Sequence, residues 1–133
     1  MATDRREIRT QAAPAPVGPY VQALAHGGLV WVSGQLGLDP ATGRLVEGGV
    51  EAQAERAFAN LGAVLEAAGS SLQRLLRVSI YLTDLSAFPR VNEIYARRLG
   101  PGTKPARSTI GVAALPLGAA VEVDAVAAGG PER

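Results

Sequence analysis

The stretch from Val50 to Ala68 constrains the fold most, because its apolar residues recur at helical spacing along one stripe. This pattern is typical of a helix that buries one side against another layer. From Leu72 to Leu82 the period falls from about 3.6 residues to about 2, which predicts a strand. Its core-facing residues would be Leu76, Val78, Ile80 and Leu82. A helix with one apolar stripe beside a half-buried strand indicates layered packing of helices on a sheet.

Turn residues divide the rest of the chain into short elements. A hairpin is indicated where His26-Gly27-Gly28 joins two runs of β-forming residues, and a second helix begins near Ser86, a good N-cap, with Pro89 in its first turn. The other predicted strands are Glu7–Gln11, Tyr20–Ala25, Leu29–Gly34, Pro105–Val112 and Val121–Ala125. The predicted order β-β-β-α-β-α-β-β gives an α+β fold of about six strands, with both helices on one face of a mostly antiparallel sheet.

Length and composition limit the class of protein. At 133 residues the chain is most simply one domain, 1–133, with a core of about 8–128 and frayed ends at residues 1–5 and from Gly129. The net charge of +1 gives no reason to expect nucleic acid or a membrane as partner. Without cysteine, and with one histidine, a metal centre or a catalytic triad is hard to assemble. The beginning of the chain lacks the apolar core of a signal peptide, so we expect a cytoplasmic protein.

A cation that the hydrophobic pattern does not explain, Arg107, lies in the predicted strand Pro105–Val112. Alternation places Arg107 and Thr109 opposite Ile110, and Val121–Ala125 likewise turns Glu122 and Asp124 away from its valines. We expect all four polar residues, with Tyr81 and Tyr20 or its neighbours, on the sheet face that the helices leave open. This half-polar face predicts a ligand groove, packing against another subunit, or both. A planar guanidinium suits a bound carboxylate, whereas the structural alternative is an ion pair of Arg107 with Glu122 or Asp124.

Short motifs in order along the chain resemble the Rid family of YjgF-like reactive-intermediate deaminases, from about residue 8 to residue 128. Each motif alone is unspecific, but their order and spacing together match the family. They are Ala13-Pro14 through Gly18-Pro19-Tyr20, Val32-Ser33-Gly34-Gln35, Leu38-Asp39-Pro40-Ala41-Thr42-Gly43, Gln53 with Asn60-Leu61, Leu65-Glu66-Ala67-Ala68-Gly69, Val91-Asn92-Glu93-Ile94-Tyr95, Pro105-Ala106-Arg107-Ser108, Leu115-Pro116 and Val121-Glu122-Val123.

The resemblance implies a chorismate-mutase-like α+β fold and a homotrimer with clefts between subunits. It also implies an enamine/imine deaminase that hydrolyses substrates such as 2-aminoacrylate to 2-oxo acids and ammonia, without cofactor or metal. By motif, the catalytic residues are Arg107, which holds the substrate carboxylate, and Glu122, which positions or activates water. The substrate-binding residues implied in addition are Tyr20, Ser33, Gly34, Asn92 and Thr109.

Two positions depart from the family pattern. Thr109 stands where many deaminase members carry cysteine, and we expect the role there to rest on the backbone N–H, which threonine keeps. Gly37 stands where proline is usual, which we expect to alter the stiffness of the loop. Two other functions stay open at this point: a non-catalytic trimer that binds small carboxylates, and a ribonuclease or translation inhibitor. The near-zero net charge argues against the last.

Overall fold

A computed structural model describes residues 4–129 and has the predicted order of elements. The helices and strands are β1 (Arg6–Ile8), β2 (Ala23–His26), β3 (Leu29–Leu36), α1 (Gly49–Ala67), β4 (Leu75–Leu82), α2 (Phe88–Leu99), β5 (Ala106–Gly111) and β6 (Val121–Ala128). Short 3₁₀ turns precede β4, α2 and β6. Within this part of the chain, neither helix is long and apolar enough to cross a membrane.

The six strands form one mixed sheet in the order β1-β2-β3-β6-β4-β5. The pair β4–β5 is parallel, because α2 carries the chain back between them, and the other four pairings are antiparallel. The predicted six-stranded, mostly antiparallel sheet is therefore confirmed. β6 lies in the middle, between β3 and β4. This central strand shows most clearly which side of the sheet is buried.

Both helices cover the same face of the sheet. In β6 the alternate residues Val121, Val123, Ala125 and Ala127 are buried, and they pack in one core with the apolar stripe of α1. Phe58, Leu61, Val64 and Leu65 of α1 are fully buried in that core. The opposite face carries Trp31, which is half-exposed, and the intervening residues of β6. We refer to the first side as the helix side and to the second as the open face.

The junction between α1 and the segment after β3 is unusually close. A Cβ added to Gly37 would lie 2.5 Å from the backbone of Gln53 in α1. The fully buried Asn60 donates hydrogen bonds to the carbonyls of Leu36 and Leu38 at 3.1 and 2.9 Å. Gly37 thus lets the loop approach the helix backbone, an effect that goes beyond the change in loop stiffness that we expected.

Several local predictions were wrong. Leu76 is 48% exposed, because the register between β4 and β6 shifts between Leu75 and Arg77 and Leu75 takes the core position. Ser86 does not cap α2; it lies in a 3₁₀ turn in which the side chain of Asp84 accepts the Ser86 N–H, although Pro89 does fall in the first turn of α2. Tyr20 precedes β2 instead of starting it.

Backbone pairing holds both ends of the described chain. The segment from Arg6 belongs to strand β1. Gly129 is not frayed, since its N–H donates to the carbonyl of Gly28 at 2.8 Å. Residues 1–3 and 130–133 lie outside the described residues.

Candidate active site

Arg107 lies at the start of edge strand β5, against the inner side of α2. Its guanidinium carbon is 4.8 Å from the ring centroid of Tyr95 and 5.3 Å from that of Phe88. One N–H donates to Asn92 Oδ1 at 2.6 Å. The residues Phe88, Asn92, Tyr95 and Arg107 are called the arginine cluster below. Two aromatic faces and an amide oxygen fix the guanidinium in place without neutralising it.

The structural alternative, an ion pair of Arg107 with Glu122 or Asp124, is not formed within residues 4–129. The ion pairs of Glu7, Glu51 and Glu55 use other arginines. Asn92 occupies one of five N–H donors, so two parallel donors remain for a bidentate contact. The arrangement suits a carboxylate brought from outside the chain.

Arg107 and Thr109 lie on the helix side of the sheet, and our prediction that they share the open face with Glu122 was wrong. Arg107 is in register with the fully buried Val78, and Thr109 with the buried Ile80. Paired residues of neighbouring strands point to the same face. Ile110, which we expected on the buried side, is 46% exposed on the open face. A cation is tolerated on the helix side because β5 is the last strand of the sheet.

The group of Thr109 that can contact a ligand is its backbone N–H and not its hydroxyl. Its Oγ1 is buried and has no hydrogen-bond partner within the described chain. The Val112 N–H donates to the Leu82 carbonyl of β4 at 2.8 Å. Because alternate residues of a strand turn their N–H groups the same way, the N–H of Thr109 points away from β4, toward the free edge. This orientation is compatible with the predicted backbone role.

Glu122 lies on the open face together with Asp124, Tyr81 and Gly34, and these four residues are called the carboxylate cluster below. Tyr81 is in register with Glu122 on the adjacent strand, and its hydroxyl donates to Asp124 Oδ2 at 3.0 Å. A Cβ at Gly34 would overlap the Glu122 carboxyl. Only glycine at this position therefore leaves room for the carboxyl group as it stands.

The pKa of the Glu122 carboxyl is raised above its ordinary value. Partial burial is the main cause, and the negative charge of Asp124 adds to it. The pKa of Tyr81 is raised as well, first by its hydrogen bond to Asp124. A carboxyl whose pKa is raised toward neutrality can hold and transfer a proton, and such groups are frequent at active sites.

Tyr20 and Ser33 lie farther along the open face. Both line a groove of about 510 Å³ together with Leu24 and Trp31. The Ser33 hydroxyl donates to the Val21 carbonyl at 2.6 Å and so fixes the loop that presents Tyr20. Ser33 and Gly34 fall where the register between β3 and β6 shifts, which lets both reach the same face.

The structure therefore divides the predicted site residues into two groups. Arg107, Asn92 and Thr109 belong to the α2–β5 side, whereas Tyr20, Ser33, Gly34 and Glu122 belong to the open face. Sequence reasoning missed two neighbours of Arg107, Phe88 and Tyr95, because their helical spacing matched that of ordinary core residues. It also placed Tyr81 and Asp124 on one face with Glu122 but assigned neither of them a role in the site. The alternation along β4 and β6 correctly predicted this shared face, but it could not predict the hydrogen bond between Tyr81 and Asp124.

Fold and polar clusters together define a small α+β protein with one mixed six-stranded sheet and two helices on one face. The Endoribonuclease L-PSP family model matches residues 10–129. The chain therefore belongs to this family, which is also called the YjgF/Rid family, and the resemblance noted in the sequence is confirmed.

Individual relatives cover almost the whole chain. A mouse protein named 2-iminobutanoate/2-iminopropanoate deaminase is 45% identical over 127 residues, which is 96% of this chain and 93% of the mouse protein. The crystal structure of RidA from the Antarctic bacterium Psychrobacter is 46% identical, with a TM-score of 0.89, over 92% of this chain and 98% of its own. Escherichia coli TdcF with bound serine is 35% identical, with a TM-score of 0.86, over the same shares.

Proposed function

We infer that the chain is an enamine/imine deaminase, which hydrolyses reactive 2-imino acids to 2-oxo acids and ammonia. Mammalian relatives named 2-iminobutanoate/2-iminopropanoate deaminase are 42–45% identical to it over 96% of its length. The observation that carries the proposal is the guanidinium of Arg107, held by aromatic rings and Asn92 and left without a carboxylate. The serine bound to TdcF is a small molecule that carries a carboxylate, as the proposed substrates do.

Arg107 anchors the substrate. Its two remaining parallel donors bind the carboxylate of the imino acid, and charge-assisted hydrogen bonds of this kind contribute about 1.5–3 kcal/mol each. The substrate is then fixed in orientation, with its imine carbon directed away from the rings of Phe88 and Tyr95. The free N–H of Thr109, two residues along the same edge, is placed to contact the far end of a short substrate.

Glu122 moves the protons. In its neutral form, one carboxyl oxygen donates a proton to the imine nitrogen while the other accepts a proton from water, whose oxygen bonds to the imine carbon. In the second step neutral Glu122 donates its proton to the amino group while its other oxygen accepts the proton of the carbinolamine hydroxyl. The C–N bond breaks, its electron pair leaves with ammonia, and a 2-oxo acid remains. General acid–base help of this kind contributes about 10²–10⁴-fold.

A complete site needs residues of two chains, because Arg107 and Glu122 lie on opposite sides of the sheet. We therefore propose the homotrimer that the Rid resemblance implies, with Arg107 of one subunit facing Glu122 of the next. Exposed apolar side chains on the open face support burial against a neighbour; they include Trp31 and Ile110. Three identical heterologous contacts close a ring, as such an assembly requires.

The competing functions receive less support. The family model is described as an endoribonuclease, but the open face groups two carboxylates and a tyrosine, which is unfavourable for a phosphate backbone. A binding-only protein would need the arginine cluster but not a protonated Glu122. We accordingly propose no nucleic-acid partner, and we propose a cytoplasmic location, which suits a chain without cysteine.

Turnover is tested directly in a coupled assay. An amino-acid oxidase produces 2-iminobutanoate from 2-aminobutanoate, and semicarbazide traps whatever imine survives. The protein is expected to suppress the trapped product and to release ammonia. Unchanged trapping at high protein concentration would leave the binding-only function as the better account.

Shared sites are tested by mixing two inactive variants, Arg107→Ala and Glu122→Gln. Co-expressed chains that assemble at random should regain about one quarter of wild-type activity, since each cleft then draws the needed residue from both neighbours about one time in four. Each variant alone is the control. A mixture as inactive as its components, while light scattering shows mixed trimers, would contradict shared clefts.

A further inference from the structure

Tyr81, Asp124 and Glu122 form a compact group on the open face, across strands β4 and β6. Glu122 and Asp124 are two positions apart on β6, so their side chains rise from the same face about 6–7 Å apart along the strand. Tyr81 lies in register with Glu122 on β4, yet its hydroxyl reaches along the sheet to Asp124 Oδ2 at 3.0 Å. The hydroxyl thus binds the carboxylate diagonally opposite and leaves the directly opposite one without a donor.

The two carboxylates therefore have different surroundings. Asp124 accepts a hydrogen bond from the Tyr81 hydroxyl. The Glu122 carboxyl is half-buried and accepts no hydrogen bond from any residue in the described range 4–129. Of two neighbouring acids, the one that receives the hydrogen bond keeps its charge and the other tends to keep its proton.

We propose that Tyr81 and Asp124 are positioning residues that act through Glu122, holding a fixed negative charge beside its carboxyl so that Glu122 serves as a proton donor. This inference rests on the proposed deaminase function and deepens it. In this role Asp124 acts through Glu122 and remains hydrogen-bonded to Tyr81. Neutral Glu122 is the form that the two proton transfers described above require.

Within one subunit, the other groups around Glu122 do not supply this effect. In the proposed trimer, Arg107 of the next subunit faces the same cleft, and its positive charge acts in the opposite direction until a substrate carboxylate binds it. On β4, Arg77 shares the open face, but it donates to Ser108 Oγ at 2.7 Å. On β3 the neighbouring open-face residues are Ser33, Gly34 and Leu36, and on β5 they are Ser108 and Ile110, none of which is acidic or basic. The direction of the Glu122 pKa agrees with the geometry, since burial and then the Asp124 charge raise it.

The test follows the titration of Glu122 itself, by carbon NMR of protein labelled at the glutamate side-chain carboxyl. Glu122→Gln assigns the signal by its disappearance. In Asp124→Asn the Glu122 transition should move to lower pH, and in Tyr81→Phe it should move less in the same direction. Asp124→Glu should restore most of the wild-type position. Glu66→Gln, which removes an exposed carboxylate on the helix side, is the matched control and should leave the transition unchanged.

Activity supplies the second readout. The alkaline limb of the pH profile of kcat/KM for 2-iminobutanoate should move to lower pH in Asp124→Asn, with a loss of about tenfold at the alkaline end. In a Glu122→Gln background the same substitution should add no pH-dependent loss.

Two results would overturn the proposal: a Glu122 transition that stays in place in Asp124→Asn, or a pH-independent loss that persists without Glu122. Because the NMR titration needs no turnover, it decides the positioning role even for a protein inactive on imino acids. Failure of the deaminase function appears instead as absent wild-type turnover.

Discussion

The arginine cluster and the carboxylate cluster lie on opposite sides of one sheet. The first keeps a charged group uncompensated, whereas the second opposes the ionisation of its carboxyl group. Around Arg107 the chain supplies aromatic faces and an amide oxygen, which keep the cation in place but leave its charge uncompensated. Around Glu122 it supplies partial burial and a neighbouring negative charge, which oppose ionisation. One cluster is therefore ready for an anion and the other for a proton, and the two needs are complementary in a single substrate, an imino acid.

The largest expected effects separate anchoring from proton transfer. Arg107→Ala should reduce kcat/KM for 2-iminobutanoate by about 10²–10⁴-fold, mainly through KM, because two charge-assisted hydrogen bonds are lost. Steady-state kinetics in the coupled assay measure this. Arg90→Ala, which removes an exposed arginine paired with Glu51, is the matched control and should change little. Near-native KM in Arg107→Ala would mean that the arginine cluster does not bind the carboxylate.

Glu122→Gln should lose activity on a similar scale, about 10²–10⁴-fold, but in kcat instead of KM. The amide keeps the shape of the side chain and cannot exchange a proton with water and substrate in turn. The same assay gives both constants. If kcat of Glu122→Gln equals that of wild type, the carboxylate cluster plays no part in proton transfer, and the proposed difference between the two clusters is wrong.

Gly34→Ala should lower kcat by about tenfold with little loss of stability, because the new methyl group displaces only the flexible Glu122 carboxyl. Gly37→Ala, three residues later, is the contrast. There the methyl group meets the backbone of α1, and we expect a loss of about 1–3 kcal/mol in the free energy of unfolding. Kinetics and urea unfolding of both variants check the pair; equal losses of stability would contradict it.

A smaller effect is expected from the residue that orients Arg107. Asn92→Ala removes the 2.6 Å hydrogen bond to the guanidinium and should raise KM by about fivefold to tenfold while kcat changes little. Asn92→Asp offers a sharper comparison, because a carboxylate at this place would pair with Arg107 and compete with the substrate. If KM were lower in Asn92→Asp than in wild type, substrate binding would not require an Arg107 that lacks a carboxylate partner.

The smallest predicted effect concerns stability against pH. The pKa of Glu122 is raised in the folded protein above its ordinary value of 4.5. Its contribution to stability is therefore fully present below about pH 4.5 and is lost as the pH rises through the folded-state pKa. Glu122→Gln escapes that loss, so its Tm relative to wild type should rise slightly from acid to neutral pH. Arg107→Ala should show no such trend, since arginine does not titrate in this range.

Much of the molecule could be predicted from local pattern. The stripe of α1 and the alternation in β6 predicted both elements to within a few residues, and the helices cover one face of a six-stranded sheet as expected. The predicted start of α2 at Ser86 was wrong, because the side chain of Asp84 accepts the Ser86 N–H and holds this residue in a 3₁₀ turn before the helix. The prediction that Leu76 faces the core was wrong, because the register between β4 and β6 shifts at this position, and such a shift depends on the partner strand.

What the sequence determined by itself is the set of elements, the family and the choice of Arg107 and Glu122 as candidates, because periodicity and motif spacing are properties of the chain. What only the tertiary structure decided is on which side of the sheet each charge lies. The parallel pairing of β4 with β5 aligns Arg107 with Val78 and carries it to the helix side. Pairing depends on residues far apart in the chain, and a shift of one residue reverses every side chain. Strand register therefore determines that the two clusters lie on opposite sides of the sheet, and a local sequence pattern cannot predict that register.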